Sequence, residues 1–232
     1  TARVAEIAKT SRGTVDKVKI IQAKGTTEQK AKLTAGTATV NQVFTVLRRE
    51  EIKAAVKVAT WPEGKFRVFY ADPPWSYSNN NKTDGTFGEQ QDHYPTMSIE
   101  DICAFPNVRE SALTDAVLFL WVTAPILEES FQVIHAWGFK YKTCFVWDKV
   151  KHVMGHYNSV RHELLMVAVK GSCQPDVAQL FDSVQTIERN GHSEKPKEFR
   201  DIINTIYPYG PRVEVFAREK IEGWEVFGHG VS

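Results

Sequence analysis

The chain has 232 residues, of which 42% are hydrophobic and 25% charged, as in ordinary globular proteins. This length is enough to bury a full core. No apolar run approaches membrane-spanning length and no signal peptide is visible, so we expect a cytoplasmic protein without a membrane partner. The net charge of +1 conceals an asymmetry, because residues 1–65 sum to +7 and residues 66–232 to −6. A basic segment ahead of an acidic one favours a polyanionic partner, although solvated helix faces would give the same charge.

The first 58 residues show the periodicity of short amphipathic helices. One helix is predicted over residues 3–9, and a second begins at Arg12, with Ser11 as its cap and Gly25 at its end. A third is predicted over residues 27–33, and Thr39 is expected to cap a longer fourth. The apolar stripe of the fourth helix comprises Val40, Val43, Phe44 and Leu47.

Two short helices joined by a polar turn, the second with a basic face, are typical of a helix-turn-helix. A plain helical bundle with solubilising lysines would show the same pattern. The order of elements over roughly residues 3–52 resembles ParB/KorB-type DNA-binding proteins, and this resemblance implies binding to duplex DNA. Those proteins usually have a domain upstream, and the chain starts with Thr1 rather than Met, so we expect a preceding segment. The residues expected to face the DNA are Arg12, Thr14, Lys17 and Lys19.

Residues 59–65 contain Pro and Gly without periodicity and are predicted to be a linker. It would join a helix-turn-helix domain at 1–58 to a second domain at 66–232. In that domain, strand-like runs alternate with helical ones, which predicts an α/β fold with a doubly wound, mostly parallel sheet. The predicted strands are 66–71, 116–122, 141–147, 163–169 and 213–217, and the predicted helices are 98–104, 126–137 and 196–206.

The first strand runs directly into Asp72-Pro73-Pro74-Trp75. Asp72 would lie at the carboxyl edge of the sheet, where open α/β folds bind ligands. Its carboxylate only accepts hydrogen bonds, and the two prolines stiffen a turn whose carbonyls we expect to be free for a substrate. Trp75 offers a flat face for a base. The tetrapeptide is equally compatible with a structural Pro-Pro turn beside a buried Trp.

The polar segment 76–93 that follows is long for a connection, which favours a functional loop that closes over a base or strand. A disordered loop without a role would have the same composition. The three cysteines, Cys103, Cys144 and Cys173, lack CxxC spacing and are expected to be reduced core residues. The histidines lack metal-ligand spacing, so no metal is expected.

Seven segments then occur in a specific order: DPPW, HYPTMSIEDI, LFLWVTAP, GFKYKTCFVWDK, RHELLMVAVKG, HSEKPKEF and GPRVEVFAREKIEGWEVFG. Together they resemble the adenine-N6 methyltransferase family that includes the eukaryotic messenger-RNA adenosine methyltransferases and bacterial and phage enzymes. The resemblance covers residues 66–230 and has the β-class order, in which the catalytic tetrapeptide comes first. It implies a Rossmann-like fold, S-adenosylmethionine as cofactor and adenine N6 as methyl acceptor.

The resemblance also implies roles for individual residues. Asp72 and the Pro73 carbonyl would accept the two hydrogens of the adenine amine and turn its lone pair toward the methyl group. Trp75 and Tyr77 would stack on the base, which a duplex must first flip out. The cofactor-binding residues implied by the family are Asp72, Lys149, His192, Ser193, Lys195, Glu214, Arg218 and His229. The last of these departs from the family, which usually ends in Gly-Asn-Gln or Gly-Asn-Glu where this chain has Gly228-His229-Gly230.

The sequence therefore predicts an S-adenosylmethionine-dependent DNA adenine-N6 methyltransferase that acts on double-stranded DNA and is compatible with a homodimer. The alternatives are an RNA adenine methyltransferase and a catalytically silent DNA-binding scaffold. Cytosine-N4 methylation is disfavoured, because such enzymes usually have Ser in place of Asp72.

Overall fold

The computed structural model describes residues 10–58, 60–76, 96–154, 157–189 and 194–228. The described residues fall into two compact units, the first formed by residues 10–58 with Thr96 and the second by the other described residues from Thr60 onward.

The first unit contains three helices: α1 (Arg12–Lys24), α2 (Thr27–Thr34) and α3 (Val40–Val58). The predicted caps of α1 and α3 are confirmed, since Ser11 Oγ accepts from Thr14 N and Thr39 Oγ1 accepts from Gln42 N. The predicted first helix, over 3–9, lies outside the described residues. A small apolar core holds the three helices together, and its buried members are Ile21, Val43, Phe44 and Leu47.

The second unit is built on a seven-stranded sheet in the order β5-β3-β4-β2-β1-β6-β7. The apolar strand β1 lies near the centre, and all but one of its six residues are buried. The strands are β1 (Phe66–Ala71), β2 (Ala112–Val122), β3 (Lys140–Met154), β4 (Ser159–Lys170), β5 (Val184–Thr186), β6 (Arg212–Val215) and β7 (Glu225–Phe227).

The predicted α/β class with a mostly parallel sheet is confirmed, since four of the six strand pairings are parallel. Strand β1 is parallel to β2 and β6, β6 to β7, and β3 to β5. Strand β4 is antiparallel to both β2 and β3. Four residues separate β3 from β4, which suits a hairpin but is too short for a parallel crossover. Strands β5 and β7 were not predicted, because three residues are too few to show periodicity.

Helices cover both faces of the sheet. The amphipathic helix α7 packs through Phe199 and Ile203 onto the face that carries Tyr70 and Trp121. On the opposite face, Phe69 contacts Phe139 edge to face. The helices of this unit are α4 (Ile99–Cys103), α5 (Pro106–Ser111), α6 (Leu127–Ala136) and α7 (Lys197–Ile206), with a 3-10 turn at Ala124–Ile126.

The segment predicted as a linker is partly packed into this unit. The Trp61 ring lies 5.0 Å from Phe227, 5.8 Å from Phe105 and 6.5 Å from Phe66, centroid to centroid. Pro62 and Gly64 mark a turn in the chain and gave no indication of these ring contacts of Trp61. Within the described residues, no helix is both long and apolar enough to cross a membrane.

Candidate active site

Three charged residues, one after β1 and one each within β3 and β4, lie near one edge of the sheet. Strand β1 ends at Ala71, which places Asp72 at the carboxyl edge of the parallel strands. Strand β3 runs in the same direction, and Lys149 follows its last buried aromatic, Trp147. Because β4 runs the opposite way, its early residue Glu163, paired with Trp147, comes to this same edge.

A fourth residue joins these charges into a chain. Lys195, just before α7, places its Nζ 3.2 Å from Asp72 Oδ1 and 2.9 Å from Glu163 Oε2. The other carboxylate oxygen of Glu163 lies 3.2 Å from Lys149 Nζ. The side chains of Lys195 and Glu163 are each only 13% exposed. Two acids and two bases therefore alternate in a partly desolvated row, in which each charge has an opposite neighbour.

The surroundings shift the proton affinities of this row. Burial raises the pKa of Asp72, and the Lys195 ammonium opposes that increase. For Glu163, burial would raise the pKa, but Lys195 and Lys149 outweigh it and the pKa is lowered. Burial acts to lower the pKa of Lys195, yet Asp72 and Glu163 together raise it. The row thus favours an ionised Lys195 and Glu163, with Asp72 as the acid most easily protonated.

The end of β6 contributes a further cation and a buried ion pair. Arg218 Nη2 lies 3.9 Å from Asp72 Oδ2, and its side chain is half exposed. Glu214, which pairs with Tyr70 across β1 and β6, accepts from Arg200 Nη2 at 2.8 Å. Between them, Phe216 has a φ of 66°, which is rare for an aromatic residue and marks local backbone strain.

The carbonyls of Pro73 and Pro74 already accept backbone hydrogen bonds, which corrects the expectation that they are free. Trp75 N donates to Pro73 O at 2.8 Å, and Met97 N donates to Pro74 O at 2.7 Å. Each carbonyl keeps a second lone pair, so a further donor can still bind. Trp75 is only 6% exposed, and its indole N–H donates to Trp121 O at 2.9 Å. Its ring therefore forms a wall of the site and is not an open platform.

The structure brings together four of the residues predicted for the site: Asp72, Lys149, Lys195 and Arg218. Glu214 lies next to this group but faces Arg200. The remaining predicted residues lie outside the described part of the chain, namely Tyr77, His192, Ser193 and His229.

Two residues of the site were not predicted, Glu163 and Arg200. Glu163 directly precedes the apolar part of β4, and a carboxylate that is buried beside such a run requires a cationic partner. That requirement could have indicated Glu163 from the sequence. Arg200 had no such signal, because a charged residue early in a helix is normally solvated.

In the first unit, the predicted DNA-facing residues differ in their surroundings. Lys17 donates to Asn41 Oδ1 at 3.0 Å and lies 5.6 Å above the Phe44 ring, so it is held against α3. The Thr14 hydroxyl shares a hydrogen bond with the Ser11 cap. Lys19 is exposed on the surface of α1, and Arg12 is the first residue of that helix.

The charge pattern at the sheet edge suits S-adenosylmethionine. That molecule carries a carboxylate, an ammonium and a sulfonium, so its site needs both acids and bases. Asp72 and Glu163 provide the acids, and Lys149, Lys195 and Arg218 provide the bases, all at the same edge. Among the described residues, no group of three or more His, Cys, Asp or Glu side chains is arranged to hold a metal ion.

Comparison with known proteins agrees with this site. Residues 66–230 match the family described as MT-A70. The chain is similar to a Type II methyltransferase, M.MunI, of Mycoplasma sp, with 32% identity over 183 residues, which cover 72% of this chain and 78% of that protein. It is 29% identical over 180 residues to a putative N(6)-adenosine-methyltransferase MT-A70-like protein of Medicago truncatula, covering 73% of this chain and 27% of the relative.

A human relative is more distant. The N(6)-adenosine-methyltransferase catalytic subunit METTL3 of Homo sapiens is 27% identical over 165 residues, covering 67% of this chain and 26% of its own length. The chain thus spans only about a quarter of the plant and human relatives it matches. Residues 66–230 match the family, and the charged row lies within that range. The chain therefore belongs to the MT-A70 family of S-adenosylmethionine-dependent adenine methyltransferases.

Proposed function

We propose that this protein methylates the N6 amine of adenine in double-stranded DNA, with Asp72 holding the amine. The observation that carries the proposal is the bridge of Lys195 Nζ between Asp72 and Glu163 at the carboxyl edge of the sheet. It places a cation-supported carboxylate directly after the central strand, where an α/β enzyme binds its ligand. The similarity to a bacterial type II methyltransferase over 78% of that protein supports DNA as the polymer.

The chemistry requires hydrogen-bond acceptors more than a strong base. The lone pair of the adenine amine is delocalised into the ring, which makes the nitrogen a poor nucleophile. If Asp72 and the second lone pair of the Pro73 carbonyl accept both N–H groups, the nitrogen becomes pyramidal and its lone pair points away from the ring. Bound S-adenosylmethionine supplies the electrophilic methyl group. The methylated nitrogen then releases a proton readily, so positioning and electrostatics provide the catalysis.

Lys195 supports this role of Asp72. Its ammonium counteracts the rise in the Asp72 pKa caused by burial, so it favours the ionised carboxylate that only accepts hydrogen bonds. Glu163 in turn holds Lys195 in place from the opposite side. Asp72 Oδ2 lies 3.9 Å from the Arg218 guanidinium, which is longer than a hydrogen bond. This oxygen can therefore still accept a hydrogen bond from a substrate.

The cofactor residues implied by the family are retained with one change. The cations proposed to bind the cofactor are Lys149, Lys195 and Arg218. The Lys149 ammonium would have to contact the cofactor and Glu163 at the same time. Glu214 is better placed to hold Arg200 than to reach a ribose, because its carboxylate accepts from that guanidinium. Tyr77, His192, Ser193 and His229 remain proposed contacts, as do Trp75 and Pro74 on the side of the base.

The first unit is proposed to bind duplex DNA through α1. Arg12, Thr14, Lys17 and Lys19 were predicted to face the DNA, and the exposed position of Lys19 supports that assignment best. The contacts of Lys17 with Asn41 and Phe44 argue against it as a phosphate ligand. A cytoplasmic location and a homodimer remain predictions that accompany this proposal.

A transfer assay with labelled S-adenosylmethionine tests the proposal. The substrates are unmethylated amplified duplex DNA of mixed sequence, the same DNA as single strands, and RNA transcribed from it. We expect N6-methyladenine in the duplex and a loss of about 100-fold or more for Asp72→Asn, by analogy with removal of one preorganised hydrogen-bonding group. Asp176→Asn is the matched control, because this acid pairs with Arg67 rather than with a site residue.

The outcomes separate the alternatives. Preferred methylation of RNA would replace DNA by RNA as the substrate. DNA binding with no transfer to any polymer would indicate the silent scaffold. Undiminished transfer by Asp72→Asn would contradict the mechanism while leaving the enzyme class intact.

A further inference from the structure

A buried tyrosine lies directly behind the catalytic tetrapeptide. Tyr70 is the fifth residue of β1 and precedes Asp72 by two positions. The residue is 2% exposed, and its hydroxyl oxygen accepts from Trp121 Nε1 at 2.7 Å. Polar contacts of this kind are uncommon in a protein core, because every buried polar atom needs a hydrogen-bond partner.

Trp121 connects this hydrogen bond to two groups of the site. Its backbone oxygen accepts from Trp75 Nε1 at 2.9 Å. The face of its ring lies 5.3 Å below Lys195 Nζ, which is the cation that also contacts Asp72. A rotation of the Trp121 indole would therefore move the surface on which Lys195 rests, while the backbone contact with Trp75 would stay in place.

The opposite side of Tyr70 is held just as firmly. The Arg200 guanidinium lies 5.4 Å from the centre of the Tyr70 ring, and Arg200 Nη2 donates to Glu214 Oε2 at 2.8 Å. The Arg200 and Glu214 side chains are 18% and 13% exposed. An ion pair shielded to this degree has a defined geometry, so it fixes the ring of Tyr70 against α7 and β6.

We propose that Tyr70 is a positioning residue for methyl transfer: its hydroxyl fixes the Trp121 indole, and that indole supports Lys195 beside Asp72. The residue does not touch the substrate or the cofactor and acts only through Trp121. This inference rests on the proposed function, because it assigns Asp72 and Lys195 to the reacting site.

A simple core role would make a different prediction from a positioning role. If Tyr70 only fills the core, loss of its hydroxyl lowers thermal stability and leaves the turnover of the folded enzyme unchanged. If it positions Trp121, turnover falls in protein that is still folded and still binds the cofactor. The two readouts are therefore kcat and the Kd for S-adenosylmethionine, each compared with the melting temperature.

The chain contains a closely matched control in Tyr207. This second tyrosine is also 2% exposed, packs edge to face on Phe119 and makes one hydroxyl hydrogen bond, to Cys173 O at 3.3 Å. Its hydroxyl has no contact with Trp121 or Lys195 among the described residues. Tyr70→Phe and Tyr207→Phe each delete one buried oxygen with one hydrogen bond, which the Tyr70 hydroxyl accepts and the Tyr207 hydroxyl donates.

We expect Tyr70→Phe to lower kcat on the DNA substrate about tenfold, since small misplacements of reacting groups cost up to about 100-fold. The Kd of Tyr70→Phe for S-adenosylmethionine should also rise, because Lys195 is a proposed cofactor ligand, whereas Tyr207→Phe should keep the wild-type kcat and Kd. Equal kcat values for Tyr70→Phe and the wild type would overturn the inference and leave the proposed function standing. A wild type that transfers no methyl group would overturn the proposed function and the role of Tyr70 with it.

A second variant keeps the test decisive if Tyr70→Phe does not fold. Trp121→Phe removes the donor of the same hydrogen bond while it retains the backbone oxygen that binds Trp75. Its kcat should also fall, and the double variant Tyr70→Phe/Trp121→Phe should lose less than the product of the two single losses, because both remove one interaction. Independent, multiplicative losses would contradict a shared positioning contact.

Discussion

The Lys195 ammonium and the Glu163 carboxylate lie 2.9 Å apart, and each side chain is 13% exposed. Thirty-two positions separate these residues in the sequence, and the antiparallel course of β4 brings Glu163 to the edge where Lys195 enters α7. Neither charge is stable there alone, since burial of an unpaired charge costs several kcal/mol. Their pairing makes Lys195 available to Asp72, and the electrostatics of the site depend on it.

Substitutions of these two residues should shift the acid limb of the pH–rate profile in opposite directions. Lys195 lowers the Asp72 pKa, so Lys195→Met should raise that pKa and move the limb to higher pH. Glu163 raises the Asp72 pKa, so Glu163→Gln should move the limb to lower pH. The measurement is kcat/KM for methyl transfer as a function of pH.

Asp176→Asn is the control for this pair, because it removes a carboxylate outside the row and should leave the limb in place. A shift of both site variants in the same direction would show that the acid limb does not report the protonation of Asp72.

Gly228 should be intolerant of any side chain. A Cβ at this position would lie 1.9 Å from Ala217 O and 2.5 Å from Ala217 N, where the chain passes between β6 and Arg218. Gly228→Ala should therefore displace Ala217, lower the melting temperature markedly and weaken S-adenosylmethionine binding, which calorimetry can measure.

Gly223→Ala provides the comparison for that substitution. Gly223 has a φ of 78°, and a Cβ added there would meet no atom within 4 Å, so only backbone strain opposes the change. We expect a loss of about 1 kcal/mol of unfolding free energy for this strain. Equal losses for the two glycines would show that the contact with Ala217 relaxes without cost.

Trp61 should contribute to the stability of the methyltransferase unit although it precedes the first strand. Its ring packs on Phe66, Phe105 and Phe227. Trp61→Ala should lower the free energy of unfolding by about 2–3 kcal/mol, at or below the range for a fully buried Trp. Tyr209→Ala, at a residue that is 69% exposed, should change little in the same urea titration. Equal stability of Trp61→Ala and the wild type would agree with the prediction that residues 59–65 are a linker without a packing role.

Lys19 and Lys17 should behave differently in DNA binding. If Lys19 contacts a phosphate, Lys19→Ala should weaken duplex binding and reduce the slope of log K against log salt by about 0.9. Lys17→Ala should mainly lower the stability of the first unit, because it removes the contacts with Asn41 and Phe44. Fluorescence anisotropy over a salt series measures both slopes. Unchanged affinity and slope in Lys19→Ala would argue against α1 as a DNA-binding helix.

Local patterns in the sequence were sufficient for the elements and for part of the site. The apolar run 66–71 is confirmed as β1, and the caps at Ser11 and Thr39 are confirmed because capping depends on residues three positions apart. Asp72 was predicted as a site residue only through the ordered family motifs, because its tetrapeptide alone is equally compatible with a structural turn. The ordered motifs identified the family and the cofactor without any tertiary information.

Tertiary structure alone decided which charges meet. The pairing of Lys195 with Glu163 depends on the antiparallel β4, which a strand pattern does not specify, since a run of apolar residues is compatible with either direction. The same holds for the contacts of Trp61, Arg200 and Tyr70, whose partners come from distant segments. The sequence predicted a methyl-transfer site directly after β1, because the motif that carries this prediction is local. The fold determined how its charges are balanced, because electrostatic partners are set by distance in space.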